Sequence, residues 1–306
     1  MSTARAAIDI GSTSVRLLIV GDVGDLARET TVCRLGDGVD SAGRLDRARA
    51  AHTLEVLDGY RALLERHGVS ELTVAATSVL RRAGDGDAFL GECERLVGVR
   101  PQVLSGRQEG EVAFRGAVGV LGAGTAPYTV VDLGGGSCEF ACGGVGDGPP
   151  GVFSAEFGAA RLTEAYIESD PPRPEELVAA LSVIEAHLDD VRRELPEVVD
   201  TGTWVGLGGT FTTFAAVELG LVPYDREVVQ GFRLDRAAAE DVFRTLVTEP
   251  LADRVHNPGL PADRAEVIVG GACAVVAIMR FFALDEIVVS DAGILDGLLA
   301  GPLPPG

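Results

Sequence analysis

A short segment of this chain occurs twice, and that repeat constrains the fold more than any other feature. Residues 7–19, AIDIGSTSVRLLI, align without gaps on residues 130–142, VVDLGGGSCEFAC. Asp9 falls on Asp132, Gly11 on Gly134, and Arg16 opposite Glu139. Each copy is an apolar run ending in an aspartate, a glycine two residues on, a small polar run and a second apolar run. That order reads as two strands joined by a glycine-rich tip. A duplicated hairpin in 306 residues predicts two related α/β domains of ~100–200 residues each, their tips facing one another across a cleft. The expected domains are residues 1–120 and 121–291, with the break in the small, glycine-rich stretch 117–124.

The segments around the copies alternate in type. Helices are predicted at 47–67, where Leu54, Leu57 and Leu64 share a face, and at 89–98, 109–121, 160–168, 174–194, 237–248 and 265–284. Strands are predicted at 72–78, 101–106 and 151–158, a strand, glycine turn and helix over 204–219, and a final strand and helix over 286–301. Such alternation implies sheets covered by helices. Trp204 opens a buried strand and reads as core.

Charge narrows the chemistry. The chain has 26 basic and 46 acidic residues, net charge −20, and every basic residue is arginine. Without lysine there is no P-loop lysine, kinase strand lysine or Schiff base. The acidic excess argues against nucleic-acid or anionic-membrane partners. Arg5, Asp9 and Arg16 interrupt the first apolar run, which neither a signal peptide nor a membrane helix accepts. The five cysteines are scattered with no CxxC pair, so buried free thiols are expected rather than disulfides or a zinc site. The expected location is the cytoplasm.

Three segments combine glycine with small polar residues: Asp9-Ile10-Gly11-Ser12-Thr13-Ser14, Asp132-Leu133-Gly134-Gly135-Gly136-Ser137 and Gly206-Leu207-Gly208-Gly209-Thr210. Glycine lets backbone N–H groups approach phosphate oxygens closely. The third segment opens a helix, whose dipole attracts an anion. A carboxylate beside a phosphate repels it unless a divalent cation intervenes. Asp9, Asp132 and Glu139 are therefore candidate partners of Mg²⁺, or Mn²⁺, partly through water.

These motifs resemble the phosphate-1, phosphate-2 and nucleotide-region pattern of the actin/Hsp70/sugar-kinase superfamily. AATSVLRRA (75–83), VLSGRQEGEVAFRG (103–116) and VVDLGGGSCEF (130–140), in that order, resemble the Ppx/GppA family of exopolyphosphatases and guanosine pentaphosphate phosphohydrolases. The likeness runs on through GFRL (231–234), residues 259–271 and VVSDAGILDGLL (288–299). It implies an α/β fold of two ribonuclease H-like domains flanking a cleft, in the short form without a further C-terminal helical domain. It also implies that the last helix, 292–306, crosses back to the first domain. Members of the family are often dimeric, so a homodimer is an expectation.

Carried over by position, the family's S-G-x-E-E-A motif falls on Ser105-Gly106-Arg107-Gln108-Glu109-Gly110, and Glu109 takes the place of the catalytic acid. Gln108 and Gly110 depart from the usual Glu and Ala, and Cys138 from the usual Thr. Glu111 is a nearby competitor that points elsewhere on a helix. Arg81 corresponds to the phosphate-facing arginine, with Arg82 its rival; arginine grips phosphate with two donors. Ser12 and Ser137 supply hydroxyls, and Gly11, Thr13, Ser14, Gly134–Gly136, Gly208, Gly209 and Thr210 complete the phosphate-binding set. His256 and Asn257 read as loop residues. The implied reaction is hydrolysis of the terminal phosphoanhydride of polyphosphate, or of pppGpp. A small-molecule kinase is disfavoured because the E-x-G-H and C-x-C-G signatures of short sugar kinases are absent. A non-catalytic sensor is disfavoured by retention of Asp9, Glu109, Asp132 and Glu139.

Overall fold

The computed structural model describes residues 4–121, 126–144, 146 and 150–304. The stretch 117–124 and the turn at 143–150 therefore lie partly outside the described residues. The chain divides into two units: Met1–Gly116 with Ile294–Gly306, and Ala117–Gly293.

The first unit contains β1 (Ala4–Ile10), β2 (Ser14–Gly21), β3 (Gly24–Val32), α1 (Val39–Ala42), α2 (Arg47–Arg66), β4 (Val69–Ala76), α3 (Ser78–Arg82), α4 (Gly86–Val97), β5 (Gln102–Val103) and most of α5 (Gly106–Leu121). Its sheet runs β3-β2-β1-β4-β5. β1, β2 and β3 form an antiparallel meander, and β4 lies parallel to β1 and β5 parallel to β4. The side chains alternate between two faces, as a strand requires. Ala6, Ile8, Ile10, Leu17 and Ile19 join Leu57 and Leu64 of α2 and Leu90 of α4 in one cluster. Ala7, Leu18 and Ala75 join Val112 of α5 in another. Each fully buried Leu or Ile contributes roughly 1.5–3 kcal/mol. α2 starts where Asp46 accepts from the N–H groups of Ala48 and Arg49, both at 3.0 Å, which satisfies two orphan donors of the first turn.

The second unit contains β6 (Tyr128–Leu133), β7 (Cys138–Gly143), β8 (Gly151–Ala155), α6 (Ala159–Tyr166), α7 (Pro174–Glu194), β9 (Thr203–Leu207), α8 (Gly209–Glu218), α9 (Arg226–Val229), β10 (Arg233–Asp235), α10 (Arg236–Thr248), α11 (Leu251–Arg254), α12 (Ile268–Phe281) and β11 (Glu286–Val289). Its sheet runs β10-β11-β9-β6-β7-β8. Leaving out the short edge strand β10, this is the order of the first unit again. A meander is followed by parallel strands β9 and β11. Both units are ribonuclease H-like α/β folds. α12 is buried almost all round, as a helix at the centre of a core must be. Trp204 is core, its ring 4.8 Å from that of Phe282.

The last helix, α13 (Ile294–Ala300), belongs to the first unit. Ile294, Leu295 and Leu298 complete the cluster around Ala7, Leu18 and Val112. Gly297 lies so close to the Val112 carbonyl that a methyl group there would collide with it. Among the described residues no helix is long and apolar enough to cross a membrane.

Several local readings differ: the strand expected at 101–106 is only Gln102–Val103, the one at 151–158 stops at Ala155, and the last helix, expected over 292–306, is Ile294–Ala300. β4 ends at Ala76, and Ser78 opens α3 rather than closing a strand. α5 starts at Gly106 rather than 109, because Ser105 caps it. β3, GDLARETTV, has no fully buried residue, so its sequence carries no apolar alternation. It is held as an edge strand by its ladder to β2.

Candidate active site

The two hairpin tips are closed by the same bond. The Gly11 N–H donates to the Ser14 carbonyl at 3.0 Å, and the Gly134 N–H to the Ser137 carbonyl at 3.0 Å. A Cβ on Gly11 would stand 3.0 Å from that carbonyl, and one on Gly134 3.1 Å. Close approach, not a left-handed φ, explains the glycine at both places.

In the first unit Asp9 lies directly across the ladder from Arg16. Directly opposed residues share a face, and the Arg16 guanidinium is 3.9 Å from the Asp9 carboxylate. Asp9 itself is 3% exposed. The tip rests on the segment after β3: Cys33 and Arg34 donate to the Thr13 carbonyl, and Gly36 to the Ser12 carbonyl at 2.8 Å. Ser12 Oγ lies 3.0 Å from Ser78 Oγ, which ties the tip to α3. Thr13 Oγ1 and Ser14 Oγ are buried and meet no hydrogen-bond partner among the described residues. Such groups ask for an explanation, because an unmet buried hydroxyl is costly.

α3 carries Arg81 toward α5. Arg81 donates to the Leu104 carbonyl and, at 3.1 Å, to Glu109 Oε2. Glu109 is 8% exposed and sits in the first turn of α5, where the helix dipole favours an anion. Arg82 turns to Asp40 at 3.2 Å. Glu111 is ion-paired with Arg107 at 2.9 Å. The first unit thus brings Gly11–Ser14 together with Ser78, whose short helix also places Arg81 on Glu109.

In the second unit Asp132 lies directly across from Glu139, so two buried carboxylates share a face. Glu139 Oε1 accepts from Ser154 at 2.8 Å. The loop Gly134–Gly136 is braced by α6: Ala159 and Arg161 donate to the carbonyls of Gly134 and Gly135 at 2.9 and 3.0 Å. Gly208, at φ 90°, is the left-handed turn between β9 and α8, and a Cβ there would lie 2.5 Å from the Leu133 carbonyl and 3.3 Å from Asp132 Oδ1. This unit therefore gathers Asp132, Glu139, Gly134–Ser137, Gly208, Gly209 and Thr210. Cys138, one residue before Glu139, is fully buried on the opposite, apolar face; burial raises its thiol well above the ordinary value. Among the described residues no group of three or more His, Cys, Asp or Glu side chains is placed to hold a metal.

Some neighbours were not legible in the motifs. Arg264 places its guanidinium against Gly209, where a methyl group would collide with it; the only signal was its position within the matching stretch 259–271. Ser78 and Ser105 act through contacts that a spacing rule does not show. His256 follows α11, and Asn257 donates to Glu249 at 3.3 Å.

Residues 17–305 match the profile of the Ppx/GppA phosphatase family. The chain is 36% identical over 313 residues to a protein named exopolyphosphatase 2 from Mycobacterium tuberculosis, with 97% of each chain covered. A protein from Aeromonas hydrophila named guanosine-5'-triphosphate,3'-diphosphate pyrophosphatase is 25% identical; the match covers 99% of this chain and 60% of that one. The crystal structure of the Aquifex aeolicus Ppx/GppA family member superposes with a TM-score of 0.80 at 33% identity, covering 98% of this chain and 97% of that one. With sheets, tips and profile in agreement, the chain belongs to the Ppx/GppA phosphatase family and is a phosphoanhydride hydrolase.

Proposed function

We propose that this chain removes the terminal phosphate of inorganic polyphosphate, with Glu109 as general base and Mg²⁺ (or Mn²⁺) as cofactor. The observation that carries the reading is the Glu109 carboxylate, buried in the first turn of α5 with Arg81 at 3.1 Å. A surface acid would have neither the burial nor the cation. The exopolyphosphatase 2 relative supports the choice of polymer.

In this reading Glu109 orients a water and takes its proton. The water oxygen bonds to the terminal phosphorus as the bridging P–O bond breaks. The products are orthophosphate and a chain shorter by one phosphate, which keeps the bridging oxygen. Arg81 orients Glu109 and faces the phosphate with its other N–H donors. The hydroxyls of Thr13 and Ser14 find acceptors in phosphate oxygens, and the backbone of Ser12 and Gly135–Ser137 supplies N–H groups, those of Gly11 and Gly134 being engaged in closing the tips. Gly208, Gly209 and Thr210 do the same at the start of α8.

Asp132 and Glu139 fit the cation. Mg²⁺ is held by one or two carboxylates, with water and phosphate oxygens in its other positions. Asp9, already beside Arg16, is the weaker candidate. When bound, the ion neutralises charge on the phosphate oxygens.

Phosphate release from polyphosphate with Mg²⁺ tests the proposal. Glu109→Gln should lower kcat by about 10²–10⁴-fold, the usual worth of a general base, with little change in substrate binding. Wild-type turnover in that variant would show the base to be another group. A second reading, pppGpp 5'-phosphohydrolase, draws on the Aeromonas relative. The ratio of kcat/KM for polyphosphate and pppGpp separates the two.

A further inference from the structure

Gln108 stands where the family motif usually has glutamate, and it is 6% exposed. Its Oε1 accepts from the Ser105 N–H at 2.9 Å and from the Ser105 hydroxyl at 3.0 Å. Ser105 Oγ accepts in turn from the Gln108 N–H at 3.2 Å. This is a reciprocal cap on the first turn of α5. The other end of the amide does something a carboxylate cannot: Nε2 donates to the Pro304 carbonyl at 2.8 Å. Exchanging the amide oxygen and nitrogen would set donor against donor at Ser105 and acceptor against acceptor at Pro304, so the network fixes the orientation.

Pro304 ends a segment that runs back along α5 from Val112 toward the start of the helix. Gly297 touches Val112. Arg115 donates to the carbonyls of Gly297 and Pro302, both at 2.9 Å, and to that of Gly301 at 3.3 Å. The segment reaches Gln108, the residue next to Glu109. Arg81 from α3 meets that carboxylate, and on α5 itself Arg107 is paired with Glu111. A glutamate at 108 would keep the cap, but would oppose the Pro304 carbonyl and add a second negative charge beside Glu109.

We infer that Gln108 is a positioning residue for Glu109: it locks the first turn of α5 to residues 302–304 while leaving Glu109 the only carboxylate in that turn. The inference rests on the reading of Glu109 as the base.

The test measures kcat, KM and the pH–rate profile with polyphosphate and Mg²⁺. Gln108→Glu should lower kcat roughly tenfold, below the roughly hundredfold that a displacement of about 1 Å can cost, with KM unchanged. Its acid limb should move to higher pH, because a neighbouring carboxylate disfavours ionised Glu109. Gln108→Ala, and removal of residues 304–306, should each lower kcat, the truncation by no more than Gln108→Ala. Combined, they should lose no more than Gln108→Ala alone, since the Pro304 contact that the truncation removes is already broken in that variant. The truncation leaves the Ser105 cap intact, so it reports on the tie even if Gln108→Ala folds poorly. Wild-type kcat and an unmoved acid limb in Gln108→Glu, or fully additive losses in the double variant, would overturn the assignment. If Glu109→Gln is inactive while the Gln108 variants behave as wild type, only the positioning role fails. If Glu109→Gln retains full activity, the base itself is misassigned.

Discussion

The two hairpin tips share a backbone and differ in charge. Each closes by a glycine N–H on a serine carbonyl three residues on. Across the ladder from the aspartate, however, the first copy has Arg16 and the second Glu139. One pair is close to neutral and the other carries two carboxylates. A phosphate can be approached directly by the first. The second would repel a phosphate brought up without a cation, because like charges a few ångströms apart are costly in a poorly hydrated site. The repeat thus keeps one backbone and carries two different charge patterns.

Exchanging the charges is the strongest way to break this contrast. Glu139→Gln should raise the Mg²⁺ concentration for half-maximal phosphate release by at least about tenfold, as loss of metal-site groups does. Arg16→Gln should leave the Mg²⁺ requirement unchanged. Equal shifts in the two variants would mean that both tips serve the ion alike.

The tips also differ in what braces them. In the first copy a Cβ on Gly36 would stand 2.9 Å from Ser12 Cβ; in the second, one on Gly158 would stand 2.5 Å from the backbone of both Gly135 and Gly136. Backbone yields less than a side chain. Gly158→Ala should therefore destabilise by about 1–3 kcal/mol, the range for overpacking, and Gly36→Ala by less. Thermal melts of the two variants decide the order, and the reverse order would sink the argument.

The smallest effect is expected at Cys138, which aligns with Val15; both are fully buried. Cys138→Val should change stability by less than about 1.5 kcal/mol. Burial pushes Cys93 and Cys273 up to about 12 and Cys142 to about 11, and also raises Cys33 and Cys138. A thiolate-specific reagent near pH 8 should label all five slowly in the native protein and rapidly after denaturation. Fast native labelling at any one would show that its burial is misjudged.

The repeat made the fold legible because Asp9, Gly11 and Ser14 recur as Asp132, Gly134 and Ser137, and a strand that alternates over a closed tip has few other solutions. β3 escaped because an edge strand is held by backbone bonds, which leave no mark on composition. Around Glu109 the motif placed the carboxylate but not its surroundings. The contacts of Arg81 depend on α3, whose single turn is too short for a periodic signal. Gln108 reads in sequence as a departure from the family pattern. Only its amide, shared between Ser105 and Pro304, shows what the departure does.

The placement of α13 has a consequence for biosynthesis. Ala7, Leu18 and Val112 are translated early, yet the cluster they form is completed by Ile294, Leu295 and Leu298. Such long sequence separation slows closure of a core. All the strands of the unit Ala117–Gly293 are synthesised before those three residues are added. The amino-terminal sheet is therefore begun first and completed last: one of its faces keeps apolar surface uncovered until the last helix arrives.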